Sequence, residues 1–267
     1  MSESETYQVY AVKYGTMDNR VRKDNFIMTD DHGASMPLDY FVWAIVNENR
    51  TIVVDTGFDR EEAQRRGRRV HRLPAEGLAM LGIEAAKVSD VIVTHLHYDH
   101  AGTLDDFPAA VFHIQESEMH YVSGRFMCHE TFRHAYTADH VCTMIQRLFE
   151  GRVRFRERED RIAPGVTVHH IGGHTMGIQS VRVNTARGAV VLASDASHFY
   201  ENMERPSPFP IVYHLGEMVE GFGKLRDLAE SPRHVIPGHD PLVMARYPAP
   251  NAAMEGVVAR LDVEPRQ

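Results

Sequence analysis

Four potential metal ligands stand within six residues of the sequence. His95, His97, Asp99 and His100 follow the apolar run 90–94, whose pattern is typical of a strand covered on both faces. Because side chains alternate along a strand, the four converge only in a turn that leaves it. A histidine-rich turn in solvent is the ordinary alternative. Four ligand-type residues at the end of a buried strand favour a metal site instead.

Three further ligand-type residues also follow predicted strands. His174 comes after two glycines, Asp195 directly after the apolar run 189–194, and His239 after a Pro-Gly pair that ends the run 233–236. The small neighbours let backbone and ion approach closely. Imidazole and carboxylate without thiolate suit zinc, manganese or iron, and seven ligands are too many for one tetrahedral ion. The sequence therefore predicts two divalent ions.

Composition narrows the class of protein. The 267 residues are 43% hydrophobic and 25% charged, which excludes a disordered or fibrous chain. No apolar stretch approaches about 18 residues, so we expect no membrane partner. The net charge of −8 argues against nucleic acid. The acidic N-terminus MSESETYQ does not resemble a secretory signal and two cysteines make no disulfide framework, so we expect a cytoplasmic location.

The elements that must position these residues form two series, each β-rich first and helical afterwards. Helices are predicted over 75–87, 116–149 and 216–230, and the densely charged stretch 152–163 leads to the next strand. This order predicts an α/β protein, an αββα sandwich of two mixed sheets packed face to face with helices outside, as a single domain over 1–267. The predicted strands are 7–14, 38–46, 51–54, 90–94, 110–114, 166–171, 178–183, 189–194 and 233–236.

The motifs resemble those of a known family. HLHYDHAG, followed by Gly-Gly-His, Ala-Ser-Asp and Pro-Gly-His in that order, resembles the metallo-β-lactamase superfamily over about residues 7–245. Within it, size and motifs such as Asp55-Thr56-Gly57 and Gly238-His239-Asp240 are most similar to the N-acyl-homoserine lactonase group. The resemblance implies that Asp195 bridges two metals. It assigns the first metal to His95, His97 and His174, and the second to Asp99, His100 and His239.

The resemblance also implies an activity. A hydroxide that bridges the ions, most simply zinc with manganese or iron as alternatives, would attack the carbonyl of a small lactone, as in quorum-quenching enzymes. Asp99 would be both ligand and proton shuttle. Where the lactonase group usually has tyrosine, three residues after the bridging aspartate, this sequence has His198, with Tyr200 two residues later. We therefore expect His198 or Tyr200 to stabilise the oxyanion.

Other activities would use the same ligands. The site would also serve another cyclic ester, a cyclic amide or imide, a β-lactam, or a thioester as in glyoxalase II, although the short tail 245–267 lacks a basic glutathione site. A di-iron flavoprotein would usually carry glutamate for the second histidine and a flavin domain. The acidic balance disfavours a nuclease, and seven filled ligand positions disfavour a binding module without activity. The expected partner is a small lactone or related cyclic substrate.

Two segments remain open. The helical region 116–149, rich in histidine and aromatic residues, is either a lid over the metals or an amphipathic helix pair with surface histidines. The arginine run 60–72 reads as a solvated loop or a subunit contact, because no aromatic residues interleave as in nucleic-acid binders. A homodimer is left open, with this run and the hairpin edge at Trp43 as the hints.

Overall fold

A computed structural model describes residues 5–28 and 33–266. The first residues of the acidic N-terminus, 1–4, lie outside these ranges. The strands are β1 Gln8–Met17, β2 Leu38–Val46, β3 Thr51–Val54, β4 Arg69–Val70, β5 Asp90–Ile92, β6 Val111–Gln115, β7 Val153–Arg156, β8 Glu159–Ala163, β9 Val166–His170, β10 Gln179–Thr185, β11 Gly188–Ser194, β12 Val235–Pro237 and β13 Val258–Arg260. The α-helices are α1 Arg60–Arg66, α2 Pro74–Met80, α3 Glu116–Val122, α4 Glu130–Arg133, α5 Ala138–Phe149, α6 Tyr200–Glu204, α7 Leu215–Leu228 and α8 Leu242–Arg246. Short 3-10 turns cover Arg22–Asp24, Ala85–Lys87, Leu104–Asp106, Arg125–Cys128, Pro232–His234 and Ala252–Met254.

The strands form two mixed sheets. The first has the order β13-β1-β2-β3-β5-β6-β7, with β4 beside β1, and the second has the order β12-β11-β10-β9-β8. Strands β3, β5, β6 and β7 pair in parallel, as do β11 and β12, whereas the remaining pairs are antiparallel. The predicted αββα sandwich is confirmed.

Strand β2 shows how alternation builds the layers. Phe41, Trp43 and Ile45 lie in a buried cluster that also contains Val181 of the second sheet, so the two sheets pack against each other there. The intervening residues, such as Val42, lie in the other cluster with side chains of α2 and α5. Trp43 is fully buried between the sheets. Its side chain therefore cannot form the subunit contact that the hairpin edge suggested.

The densely charged stretch 152–163 differs from the prediction, because it forms β7 and β8. Both are the last strands of their sheets. An edge strand keeps one side in solvent, so it accommodates charges that a central strand could not bury. An ion pair between Arg156 Nη1 and Asp160 Oδ2 at 2.6 Å links the two.

Two other predicted segments each consist of several shorter elements. The helical region 116–149 consists of α3, a 3-10 turn, α4 and α5, and the arginine run contains α1 and β4 rather than a plain loop. No helix in the described part of the chain is both long and apolar enough to cross a membrane.

Candidate metal centre

The seven predicted ligands come together at one end of the sandwich. The turn that carries His95, His97, Asp99 and His100 follows β5 of the first sheet. His174, Asp195 and His239 follow β9, β11 and β12 of the second sheet. All seven are buried. Strand ends of both sheets therefore supply one polar cluster inside an otherwise apolar fold.

The cluster divides into two ligand sets. One set contains His95, His97, His174 and Asp195, and the other contains Asp99, His100 and His239. Within each set the ligand atoms lie within 4.8 Å of one another. This division matches the two sets that the resemblance implied.

Asp195 lies between the two sets with one oxygen toward each. Its Oδ2 is 3.2 Å from His174 Nε2 and 3.8 Å from His95 Nε2. Its Oδ1 is 2.9 Å from His239 Nε2 and 3.2 Å from His100 Nε2. One carboxylate thus has the geometry to bridge two ions.

The far ring nitrogens of the histidines have fixed partners. His174 Nδ1 donates to the carbonyl oxygen of Ile211 at 2.8 Å, and His239 Nδ1 donates to that of Asp39 at 2.8 Å. Because a carbonyl oxygen only accepts, the Nε2 atoms of both rings are left with their lone pairs toward the cluster. The tautomers are therefore those that a ligand needs.

Asp55 orients His100, and sequence reasoning assigned it no such role. His100 Nδ1 lies 2.7 Å from Asp55 Oδ2, and Thr94 donates to the same carboxylate from its backbone N–H at 2.7 Å and its hydroxyl at 2.8 Å. Asp55 is fully buried, and burial raises the pKa of its carboxyl group although His100 and Thr94 act against this. The signal available in the sequence was a polar residue that directly follows the buried strand 51–54.

The electrostatics of the histidines differ between the two ligand sets. Burial, together with the neighbouring imidazoles, lowers the pKa of His95 and His97 well below the usual range, so both rings are neutral. Burial acts in the same direction on His100 and His239, but the Asp195 carboxylate reverses it and raises the pKa of both. Neutral imidazole is the form that binds a metal.

Several buried atoms of the cluster lack any other explanation. His97 Nδ1 lies 3.0 Å from both His95 Nε2 and His174 Nε2, so three imidazole nitrogens face one point. His100 Nε2 and Asp195 Oδ1 are buried and lie 3.2 Å apart, but neither forms a hydrogen bond of good geometry with a described residue. Such atoms are costly unless something binds them. The donor set of imidazole and carboxylate therefore fits a pair of divalent ions.

The two residues predicted to stabilise an oxyanion lie in different places. The His198 ring stacks on Phe209 at 3.7 Å and its Nε2 lies 3.0 Å from Asp195 Oδ2, so the structure brings it to the cluster. Burial lowers the pKa of His198 to about 3. Tyr200 lies beneath the Arg246 guanidinium at 4.0 Å, and its hydroxyl is buried without a partner among the described residues. Tyr200 does not line the cavity above the cluster.

Glu118 of α3, which sequence reasoning also missed, holds two of the loops that carry ligands. Its Oε1 accepts from Leu96 N at 3.0 Å and the Tyr136 hydroxyl at 3.1 Å, and its Oε2 accepts from the Thr175 hydroxyl at 2.6 Å and Gly177 N at 3.1 Å. It is fully buried, and burial raises the pKa of its carboxyl group. Nothing in the sequence distinguishes it from the neighbouring Glu116.

A cavity of about 270 Å³ opens above the ligands. His134 and Ala135 of the segment between α4 and α5 line it, so the helical region contributes a wall, as its interpretation as a lid required. Side chains from β2, from the stretch around β4 and from the loop after α6 complete it. The other lining residues used below are Arg20, Tyr40, Arg66, Arg68, Tyr98 and Phe209.

Comparisons with known proteins agree with this geometry. The family model described as metallo-beta-lactamase superfamily matches residues 36–245. An N-acyl homoserine lactonase from a Bacillus species is 28% identical over 189 residues, which are 64% of this chain and 70% of that protein. A crystal structure of a quorum-quenching N-acyl homoserine lactone lactonase has a TM-score of 0.73 at 21% identity and covers 90% of this chain and 95% of its own. AidC, a dizinc quorum-quenching lactonase, has a TM-score of 0.69 at 14% identity and covers 90% of each chain.

Proposed function

The chain belongs to the metallo-beta-lactamase superfamily, and from this premise we propose that it opens the ring of a small lactone with two divalent ions. The hydrolase class follows from the family and from the cluster of histidine and aspartate ligands. The lactone is suggested by relatives that are named N-acyl homoserine lactonases. The seven residues of the two ligand sets are the proposed ligands.

One observation carries the proposal. The Asp195 carboxylate presents Oδ2 to one ligand set and Oδ1 to the other, at 2.9 to 3.8 Å from four imidazole nitrogens. A carboxylate in that position would hold one ion of a metal pair with each of its oxygens. A pair of this kind is suited to hydrolysis, since one ion can act on the nucleophile and the other on the substrate.

Zinc is the metal that we propose. The donor set contains no thiolate and consists of imidazole and carboxylate, which zinc accepts and which manganese and iron also accept. AidC, of the same fold, is described as a dizinc lactonase. When bound, two such ions lower the pKa of water toward neutrality and polarise an ester carbonyl.

Two side chains of the cluster would act on protons and charge. The Asp99 carboxylate lines the cavity and lies 3.8 Å from His239 Nε2, a position from which it can carry a proton to the leaving alkoxide. His198 Nε2 lies 3.0 Å from Asp195 Oδ2, and a proton on this nitrogen would stabilise the charge that develops on the substrate oxygen. Since the Tyr200 hydroxyl is not directed into the cavity, we propose His198 alone for this role.

The substrate class is tested by a panel. Purified protein is analysed for bound metal and assayed on γ-lactones, thioesters, cyclic amides and penicillins. We expect zinc bound at a ratio that requires both sites, and the highest kcat/KM on a γ-lactone. A higher kcat/KM on a thioester or a penicillin would overturn the lactone and leave the superfamily assignment unchanged.

The bridging role is tested by Asp195→Asn. The amide keeps the size of the side chain but presents one acceptor oxygen, so it cannot bridge two ions. We expect the bound metal to fall to one ion per chain or fewer and kcat/KM to fall by about 1,000-fold or more, the scale of a lost catalytic ion. Asp227→Asn, at an exposed site, is the matched control. Full activity of Asp195→Asn with both ions bound would contradict the bridge.

A further inference from the structure

Two arginines reach the cavity from elements that carry no proposed ligand. Strand β4 pairs with the end of β1, with Thr16 opposite Arg69. This pairing brings Arg68, just before β4, to the same rim as Arg20, three residues after β1. Both side chains line the cavity with the ligands Asp99, His174 and His239. A positively charged wall thus faces the proposed reaction site.

Arg68 is held in place but not neutralised. Its Nε donates to the Tyr98 hydroxyl at 3.1 Å and its Nη1 to the Arg66 carbonyl oxygen at 2.7 Å. Its Nη2 has no partner among the described residues, and no carboxylate in that part of the chain lies within ion-pair distance of its guanidinium. Two hydrogen bonds therefore fix the plane of the group and leave one edge available to a ligand.

Arg20 also forms no ion pair with a described residue, although, unlike Arg68, each of its guanidinium nitrogens has a neutral partner, with Nη1 contacting Met17 Sδ at 3.7 Å. Its Nε donates to Asn25 Oδ1 at 2.6 Å, its Nη2 to the Asp24 carbonyl oxygen, and its guanidinium covers the Phe209 ring at 4.8 Å from the centroid. All three groups are uncharged, and in the described ranges no carboxylate forms an ion pair with it. Burial lowers the pKa of Arg20 although the negative charge of Asp24 acts against this, and the nearby positive charge of Arg68 lowers it further. The two like charges repel each other unless an anion lies near both.

A third arginine of the cavity wall, Arg66, does have a counter-charge, in contrast to Arg68 and Arg20. It lines the same cavity, but its Nε is bound to the Glu62 carboxylate and its other nitrogens donate to the His134 and Tyr136 carbonyl oxygens at 2.8 and 3.1 Å. Its charge is compensated within the protein. The carboxylates that do line the cavity, Asp99 and Asp195, are proposed metal ligands.

We propose that Arg68 and Arg20 bind a carboxylate of the substrate, so that the preferred substrate is a compact lactone that carries a carboxylate next to the ring. The inference rests on the proposed lactonase function and names its substrate class. A guanidinium with a free edge pairs well with a carboxylate. The volume of about 270 Å³ suits a small molecule rather than a long acyl chain.

A short chain of contacts connects this wall with the ligands. The Tyr98 hydroxyl, which receives the bond from Arg68, lies 2.7 Å from the Tyr40 hydroxyl. The Tyr40 ring meets the His239 ring edge-on at 5.5 Å between centroids. The two arginines and the proposed metal ligands therefore line one cavity, and Tyr98 and Tyr40 fix the wall between them.

The test compares two lactones that differ only in charge. γ-Butyrolactone-γ-carboxylate and its carboxamide are assayed with the zinc-loaded wild type, Arg68→Gln, Arg20→Gln, and Arg68→Lys, which keeps the charge. Arg69→Gln, at an exposed arginine next to Arg68, is the matched control. We expect the wild type to prefer the carboxylate by about 10- to 100-fold in kcat/KM, mainly through KM, and Arg68→Gln to lose that preference while its rate on the carboxamide stays within about threefold. Arg68→Lys should retain part of it, and Arg20→Gln should lose a smaller part.

A binding measurement separates this inference from the lactonase proposal. Tetrahydrofuran carboxylate has no ester to hydrolyse, so calorimetry reports its binding whether or not the protein is a lactonase. We expect Arg68→Gln to weaken that binding by about 10-fold or more and Arg69→Gln to leave it unchanged. Equal kcat/KM for the two lactones in every variant, with equal binding of the saturated acid, would overturn the inference and leave the lactonase standing. Selective binding of the acid without hydrolysis of any lactone would overturn the lactonase instead.

Discussion

At the scale of single residues, the orientation of each ligand ring depends on the partner of its other nitrogen. His174 and His239 donate to backbone carbonyl oxygens, which no substitution removes. His100 depends on the side chain of Asp55. Because this partner is a side chain, a substitution at Asp55 can measure how much the orientation of the His100 ring contributes to metal affinity.

Asp55→Asn should weaken metal binding without disturbing the backbone. Asp55 has φ of 61°, a left-handed conformation that asparagine tolerates nearly as well. The amide removes the negative charge that orients His100, and loss of such a partner costs about 10- to 100-fold in metal affinity. Competition with a chelator measures it. Thr94→Ser, which keeps both donors to Asp55, is the control, and an unchanged affinity in Asp55→Asn would show that His100 needs no orienting partner.

His198→Asn separates a role in the reaction from a role in metal binding. If His198 stabilises developing charge, the variant should retain both ions and lose about 100-fold in kcat, with KM little changed. Metal analysis beside steady-state kinetics decides the matter. His198 also forms a possible ligand group with Asp195 and His239. Loss of one ion would therefore assign it to the metal, and unchanged kinetics would remove it from the reaction.

The sequence predicts residues of the site well only where spacing is local. Four ligands lie in one turn, and three others come within three residues of the end of a recognisable strand, so strand ends alone bring them near each other. Glu118 and Arg68 contact the site through tertiary packing, and no local pattern marks them. The arginine run is interpreted as a solvated loop or a subunit contact, since nothing in its composition reveals that Arg66 and Arg68 line the cavity.

At the scale of elements, charged residues make one edge strand of each sheet, β7 and β8, difficult to predict from the sequence. Apolar or alternating runs predicted the central strands closely, because those strands are buried on one or both faces. The edge strands β7 and β8 are only four and five residues long and lie in a stretch dominated by charged residues, so their patterns are too short to identify them. Their pairing depends on neighbours that are distant in sequence. For example, β7 pairs with β6, although the helical region 116–149 separates the two strands in the chain.

The start of β5, the strand that leads into the ligand turn, should respond to acid. Asp90 Oδ1 lies 2.9 Å from His113 Nε2 on β6, and this hydrogen bond lowers the pKa of Asp90. A lowered pKa in the folded state adds stability above the carboxyl's ordinary pKa, and this is lost as the pH falls through the folded-state pKa. Since Asp90 is partly exposed, Asp90→Asn should reduce the free energy of unfolding at pH 7 by only about 0.5 kcal/mol.

The measurement is denaturant unfolding of metal-free wild type and Asp90→Asn. The difference between them should begin to shrink as the pH falls below the ordinary carboxyl pKa of about 4, and it should vanish only below the lowered folded-state pKa of Asp90. Asp139→Asn, also acidic and exposed, serves as the control. A difference that grows on acidification would mean that the sign of the shift at Asp90 is wrong.

At the scale of the whole molecule, the ligand cluster joins the two sheets. Four of the seven residues follow a strand of the first sheet and three follow strands of the second. Without bound cations the fold holds two buried carboxylates and five imidazoles close together at this seam. Ions bound there would therefore link the layers as well as serve the reaction.

Removal of the metal should lower the melting temperature. A ligand present at about a thousand times its Kd stabilises the folded state by about 4 kcal/mol, which for a chain of this size corresponds to about 10 °C. Scanning calorimetry before and after chelation, and after zinc is returned, measures the change. Asp195→Asn should show a smaller difference. Equal melting temperatures with and without metal would mean that the ions do not hold the layers together.

Strand β4 has a consequence for how such a protein diversifies. The stretch 60–73 contains none of the seven ligands, contributes Arg66 and Arg68 to the cavity wall, and joins the first sheet through a strand of two residues. Substitutions there would change what the cavity accepts without touching the chemistry beneath. Evolution could thus change the substrate specificity of the enzyme through substitutions in one short segment, while the metal ligands stay the same.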